Sequence, residues 1–430
     1  MKTLFCQLLS LTLLTYLMGC RTPQDTPVPV PERAGDGLNV PGARMLSAQM
    51  RRACEGVYSI SDGSQDFGGE LAAKWSYTVN APGDTVHHLS LFCEPQSAFF
   101  VLEARQMADS LVFAGYWRRL VNAETGTARF TVAKADGAGA LLGAGCCEAF
   151  STGAVVFRGT FGFGDLGRTQ PMTFTYNRPL NRRPFQVLAH RGGGRTSDLL
   201  PVSENSVEII RFASRLGATG VEVDLRETKD GIPILYHDNQ LNLRLTRKTG
   251  LIGAVEAYTY RQLSSFVRLI NGEQIPTLEQ ALAAVVNDTP LETVWLDSKE
   301  ISDMTRIRNI QQKYIDLATA RGRRLNIYIG LPTDEKVAQF EGLENFRQVP
   351  ALCELDVETV RRVNARVWAP RWTLGNPIAD SRAMQAEGRQ VFLWTLNVPE
   401  FIEQFIQDGN LNGILTNYVP TVAYYHYVQR

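Results

Sequence analysis

From Phe185 onward, short apolar runs alternate with amphipathic stretches of helical period. The apolar runs fall at 186–189, 220–225, 232–237, 293–297, 326–330, 351–355, 366–370, 390–396 and 413–416, and helical patterns include 205–216, 278–286, 303–320 and 399–407. Strands that alternate with helices build a parallel sheet, because each parallel crossover needs a covered connection. Residues 184–430 match the ~250 residues of a (β/α)8 TIM-type barrel, so the fold class is α/β. Nine runs exceed eight by one, which predicts one accessory strand. Between 225 and 232 stands only "LRETKDGI", too short for a helix.

The preceding region has a different rhythm. Across 44–178, β-prone runs such as "SLVFAGYW" and "GAVVFRGTF" are separated by Gly- and Asp-containing turns, and no long amphipathic helix interrupts them. That pattern predicts an antiparallel all-β domain, a sandwich or a lipocalin-like barrel, ahead of the (β/α)8 unit. Its role is open between ligand binding and a spacer or docking function. The "NRPLNRRPF" segment reads as the linker.

The N-terminus reads as a processing signal. Lys2 precedes an apolar run from Leu4 to Met18, short of the ~20 residues that span a bilayer. With Gly19 before Cys20 and Leu17 upstream, residues 1–19 resemble a bacterial lipoprotein signal peptide. The resemblance implies lipidation at Cys20, a Pro-rich tether over 20–43, and a membrane-anchored location on the bacterial cell envelope, at the outer membrane or periplasmic face. An oxidising compartment allows one disulfide among Cys54, Cys93 and the Cys146/Cys147 pair, whereas Cys353 reads as a small buried hydrophobe. Lys plus Arg equals Asp plus Glu at 44 each, so a nucleic-acid partner is not expected.

In such a barrel, chemistry sits at the C-terminal ends of the strands. The first run ends in His190-Arg191. The second holds Glu222 and Asp224, two apart and therefore on one side of a strand. A third strand is read as ending in His237-Asp238, and a fourth carries Asp297 and Lys299. Three carboxylates form an oxygen cage for one hard divalent cation, Ca²⁺ or Mg²⁺. Arg191 and Lys299 suit a phosphate, as a planar fork and a point charge. Two histidines can take one proton and give another. Together they indicate hydrolysis of a small-molecule phosphodiester.

These residues lie within "AHRGG…SENS…GATGVEVDLRETKDGIPILYHD", followed by "IPTLEQAL", "VWLDSK", "VFLWTLN" and "GILTNYVP". The set, spread in order over 184–420, resembles the glycerophosphodiester phosphodiesterases. The resemblance implies products of glycerol 3-phosphate and an alcohol. It implies His190 and His237 as the acid/base pair, Glu222, Asp224 and Asp297 as metal ligands, Arg191 and Lys299 as phosphate contacts, and Glu204 as an orienting group. It also implies a loop in place of the helix after the second strand, and a small insertion over 239–274. Within that family, phospholipase D-like cleavage of lysophospholipids is the alternative, and a non-catalytic binding lipoprotein is a reading of a different class.

Departures from the family pattern are Asp297 for the usual Glu, "SEN" for "PEN", Arg244 seven rather than six residues past the histidine, and Asn417 where many relatives have Asp. Trp394 and Trp372, near late strand ends, are candidates for an apolar pocket wall, with Trp394 the substrate contact. Glu204 could instead cap the helix that follows it. His87-His88 reads as a surface pair.

Overall fold

The computed structural model describes residues 38, 40–80, 83–143, 150–164, 167–375 and 377–430. Cys20, most of the tether, and Cys146 and Cys147 lie outside them. Among the described residues, no helix is long and apolar enough to cross a membrane.

Two closed barrels follow one another. The first is antiparallel: β1 (Gly56–Asp62), β2 (Glu70–Val79), β3 (Thr85–Cys93), β4 (Ala98–Met107), β5 (Ser110–Arg119), β6 (Thr125–Val132), β7 (Val156–Phe161) and β8 (Gln170–Arg178). Each strand pairs with the next and β8 returns to β1. Alternation of side chains sends one set inward. That interior is packed with Tyr58, Phe100, Phe113, Trp117, Phe130 and Phe157, all fully buried. An eight-stranded barrel is just wide enough to be filled by its own side chains, and here aromatic rings take the space a carried ligand would need. Cys54 and Cys93 also belong to this core. They are free thiols, so neither takes part in the expected disulfide. Apolar burial pushes the Cys54 thiol up to about 12 and also raises that of Cys93, which keeps both protonated and unreactive. Cys353, in the second barrel, is buried and free, as expected.

The second barrel is parallel. Its strands are β9 (Gln186–Ala189), β10 (Gly220–Glu227), β14 (Thr293–Glu300), β15 (Asn326–Leu331), β16 (Ala351–Cys353), β17 (Val367–Trp368), β18 (Gln390–Leu393) and β19 (Gly413–Thr416). They pair in that order, and β19 closes on β9. The helices between them start on strong caps. Thr277 and Gln280, for example, form a reciprocal capping box at Leu278–Asp288.

The third apolar run, 232–237, is the accessory one, and this corrects the reading of His237 as the end of a barrel strand. The run is β11 (Pro233–Leu235), antiparallel to the end of β10, with Leu225 opposite Leu235. The reason is chain length. A parallel crossover takes a dozen or more residues, whereas Thr228–Gly231 make a tight turn, Gly231 at φ 74° donating to the Thr228 carbonyl at 2.8 Å. The chain then enters the insertion, with a two-strand ribbon of β12 (Gln240–Leu241) and β13 (Gly253–Ala254) and the helix Tyr260–Phe266. Ile234, Tyr236, Leu245, Val255, Leu263 and Ile275 give this lobe its own small apolar core.

The two barrels share apolar packing. Outward-facing Val57, Ala72, Phe92, Phe99 and Val101 of the first join Val422 and Ala423 of the helix Val419–Val428 in one cluster. Phe92 stacks on Tyr427 with ring centroids 6.3 Å apart. Gly217 permits the approach, since a Cβ there would lie 2.6 Å from the Ala423 Cβ and 2.7 Å from the Phe92 ring.

Candidate active site

The pleat and register of two neighbouring strands build the carboxylate cluster. Glu222 and Asp224 lie two apart on β10, and Asp297 of β14 is in register with Asp224. The alternate residue Ser298 points away and donates to the Gly330 carbonyl at 2.6 Å. Below the acids, Leu188, Trp295, Leu352, Phe392 and Leu415 fill the barrel interior. Glu222, Asp224 and Asp297 therefore sit on a dry floor, with one oxygen of each within 4.8 Å of the others.

Electrostatics reflect that crowding. Burial, then the charges of Asp224 and Asp297, push the Glu222 carboxyl well above the usual range. Burial likewise raises Asp297. It also opposes ionisation of Asp224, but Lys299 and the nearby histidines and Arg191 outweigh it and hold that acid down. Lys299 Nζ lies 2.7 Å from Asp297 and 3.2 Å from Asp224, and these anions raise its affinity for its proton despite burial. One ammonium cannot neutralise three carboxylates. The set has oxygen donors only, which fits a hard divalent cation.

The β9 loop supplies the opposite edge. Arg191 adopts φ 54°, and its backbone N–H donates to Glu222 at 2.8 Å. Gly192 and Gly193 follow because a Cβ on either would meet the Ile209 side chain at 2.7 Å. The guanidinium of Arg191 binds Glu204 at 2.7 Å, and its Nε is 3.9 Å from Asp224. That Nε is buried without a hydrogen-bond partner among the described residues, with Asp224 as the charge beside it.

Glu204 does not cap the following helix. Ser206 does, accepting from the Ile209 N–H at 3.0 Å. Glu204 is buried, and besides Arg191 it accepts from the Thr196 N–H at 2.6 Å and from Arg244 at 3.2 Å. Arg244, seven residues past His237, thus still reaches the site, where it also binds Asp238 at 2.7 Å.

The two histidines are held differently. His190 Nδ1 lies 2.7 Å from the amide oxygen of Asn417, and its Nε2 lies 3.8 Å from Glu222. Burial and the charge of Arg191 lower its pKa to about 4. His237 follows β11, whose alternation puts Ile234 and Tyr236 into the small lobe and turns Leu235 toward the main core. Its Nδ1 is 2.7 Å from Asp238, a carboxylate held below the usual range, against the cost of burial, by Arg244, His237 and Asn242. Arg226, a buried residue of β10, donates to the His237 carbonyl at 3.3 Å. Asp238, Arg226 and Glu354 were missed as site residues. Glu354 follows β16, and burial together with Asp297 pushes its carboxyl up to about 8. Its placement at a strand end was the available signal.

Trp394 follows β18. Its ring meets Trp295 edge-on at 6.4 Å and lies under the Arg371 guanidinium at 4.6 Å, while its Nε1 donates to Ala369 at 2.7 Å. Trp372 packs outward on Phe401 at 5.4 Å. The histidine pair of the first barrel is not a surface pair: His88 is buried, and burial lowers its pKa to about 3.

Residues 190–421 match the sequence model of the Glycerophosphoryl diester phosphodiesterase family. A probable glycerophosphodiester phosphodiesterase 2 of Mycobacterium tuberculosis is 29% identical over 249 residues, covering 54% of this chain and 86% of that protein. Human glycerophosphodiester phosphodiesterase 1 is 38% identical over 123 residues, but the match spans only 27% of this chain and 35% of the human one. A crystal structure of a glycerophosphodiester phosphodiesterase from Parabacteroides distasonis aligns over 56% of this chain and 95% of its own, with 20% identity and a TM-score of 0.43.

Proposed function

The chain belongs to the glycerophosphoryl diester phosphodiesterase family and is a phosphoric diester hydrolase, and we propose that it cleaves glycerophosphodiesters to glycerol 3-phosphate and an alcohol with His190 and His237 as its acid/base pair. The observation that carries this reading is the meeting of three carboxylate oxygens within 4.8 Å, beside His190 Nε2 and the unpartnered Arg191 Nε.

Glu222, Asp224 and Asp297 would hold one divalent cation, Ca²⁺ or Mg²⁺. When bound, such an ion neutralises charge on the transferring phosphoryl group. The chain's own residues do the rest. Arg191 presents its Nε to a phosphate oxygen while Glu204 fixes the other side of the fork. Lys299, held by two acids, adds a point charge. The amide of Asn417 is a neutral partner, which suits a ring that must accept a proton. His190 thus takes the proton from the attacking hydroxyl, of water or of the substrate's own glycerol; in the second case water then opens the cyclic phosphate to glycerol 3-phosphate. The anionic Asp238 suits a ring that carries a proton, so His237 protonates the departing alkoxide as the P–O bond breaks. Trp394 walls the pocket. We further propose that Cys20 is lipidated and tethers the enzyme to the bacterial envelope.

The test is to incubate the chain lacking residues 1–20 with glycerophosphocholine, glycerophosphoethanolamine and a lysophospholipid, each with Ca²⁺, Mg²⁺ or EDTA. Metal-dependent glycerol 3-phosphate from the deacylated diesters is the expected result. Turnover of the lysophospholipid alone would replace the substrate assignment, and no turnover under any condition would overturn the enzymatic reading.

A further inference from the structure

The first barrel reaches the reaction rim. On β5, Trp117 points into the aromatic core, so Tyr116 and Arg118 face outward, toward the second barrel. Arg118 is 1% exposed. Removing a guanidinium from water is costly unless its donors are used, and Arg118 donates to the backbone carbonyl of Leu199. Burial depresses its pKa from the ordinary arginine value, with Tyr116 opposing.

Leu199 belongs to the β9 loop that carries the phosphate fork. It is strained at φ 52°, a conformation a leucine holds only when its surroundings impose it. From there, contacts run to the site in short steps. The same turn contains Thr196, whose N–H donates to Glu204 at 2.6 Å, and Glu204 holds Arg191 at 2.7 Å. The neighbouring Leu200 is buried, and its methyl lies 3.1 Å from where a Cβ on Gly194 would stand. On the far side the loop is fixed from the insertion: Asn271 donates to the Leu200 carbonyl at 3.3 Å, and Glu273 accepts from the Ser203 hydroxyl at 2.6 Å. The loop is thus clamped between the lobe and the all-β barrel, and Arg118 is the charged jaw on the barrel side.

We propose that Arg118 is a positioning residue for the phosphodiester site, through which the all-β barrel sets the geometry of the Glu204–Arg191 phosphate fork. It touches no reacting atom. Its effect runs through Leu199 and Glu204, so it should act on phosphate affinity and leave the cation site alone, because Glu222, Asp224 and Asp297 are fixed by the register of β10 and β14. The inference rests on the proposed phosphodiesterase reading.

The test compares full-chain Arg118→Met, Arg118→Lys and Arg191→Met with the wild type. For Arg118→Met, KM for glycerophosphocholine and Ki for inorganic phosphate should both rise about tenfold, with kcat changed less than threefold and Ca²⁺ affinity unchanged. Arg118→Lys, which retains one donor, should recover part of the loss. In an Arg191→Met background, adding Arg118→Met should leave phosphate Ki where it is. Amide exchange over 193–205 should quicken in Arg118→Met, a readout that needs no turnover. An Arg118→Met protein with wild-type KM, Ki and exchange would overturn the proposal. If that variant does not fold, Arg118→Lys decides alone: wild-type KM, Ki and exchange would count against it. A wild-type chain without activity would instead overturn the phosphodiesterase reading, and the phosphate-binding and exchange comparisons would still judge Arg118.

Discussion

Asn417 presents its amide oxygen to His190 Nδ1 at 2.7 Å. Because that oxygen only accepts, Nδ1 carries the hydrogen and Nε2 is left with its lone pair, 3.8 Å from Glu222. A neutral partner does little to favour the protonated ring, so burial and Arg191 prevail and hold its pKa at about 4. Asn417→Asp would place a negative charge at the same contact and raise the pKa of His190. The acid limb of the kcat/KM profile should move up by about one pH unit or more, measured with saturating cation; an unmoved limb would remove His190 from the base role.

His190→Ala and His237→Ala should each lower kcat by about 10²–10⁴-fold, the usual worth of a positioned acid or base. Calorimetric Ca²⁺ binding should be preserved in both. Near-wild-type turnover in either variant would refute the two-histidine mechanism.

Cation binding should release protons. Glu222 is pushed well above the carboxylate range by burial and its acidic neighbours, and a ligand must shed its proton to coordinate. Calorimetry in buffers of different ionisation enthalpy should report that release, and it should grow as the pH is lowered. Glu222→Gln should reduce it and weaken the cation strongly, while EDTA should abolish wild-type turnover.

Acid should destabilise the fold from within and beside the first barrel. His88 and His426 are buried, and burial lowers their pKa from 6.5 to about 3 and about 4. His88 Nδ1 has no hydrogen-bond partner among the described residues. The unfolded chain therefore binds these protons first. Their stabilising contribution is complete above pH 6.5 and is lost as pH falls through the interval between the unfolded and folded values, at ~1.4 kcal/mol per pH unit for each residue. Urea midpoints measured from pH 7 down to pH 4 should fall, and His88→Gln should flatten the slope.

Much of the site was legible because its residues end strands, and strand ends can be read from apolar runs. Glu222, Asp224, Asp297 and Lys299 needed only the two-residue period. His237 was misplaced on a barrel strand because the run 232–237 is as apolar as the others; only the brevity of Thr228–Gly231 betrays its reversal. Arg118 lies 72 residues before His190 in the chain, in another barrel, and no local pattern joins residues so far apart. His88 looked like a surface residue because the face it occupies is covered only when the second barrel packs against it. Cys54 and Cys93 stay unpaired because compartment and cysteine count say nothing of where two thiols point inside a closed barrel.

The small lobe gives His237 a foundation of its own. The three carboxylates answer to the register of β10 and β14, whereas β11 leans on Leu245, Val255, Leu263 and Ile275, which the main core does not share. His237 and the carboxylate cluster therefore rest on different packing. Residues of the lobe that touch neither Glu204, Asp238 nor the turn at Leu200–Ser203 can be exchanged without shifting the acids, whereas Arg244, Asn271 and Glu273 cannot.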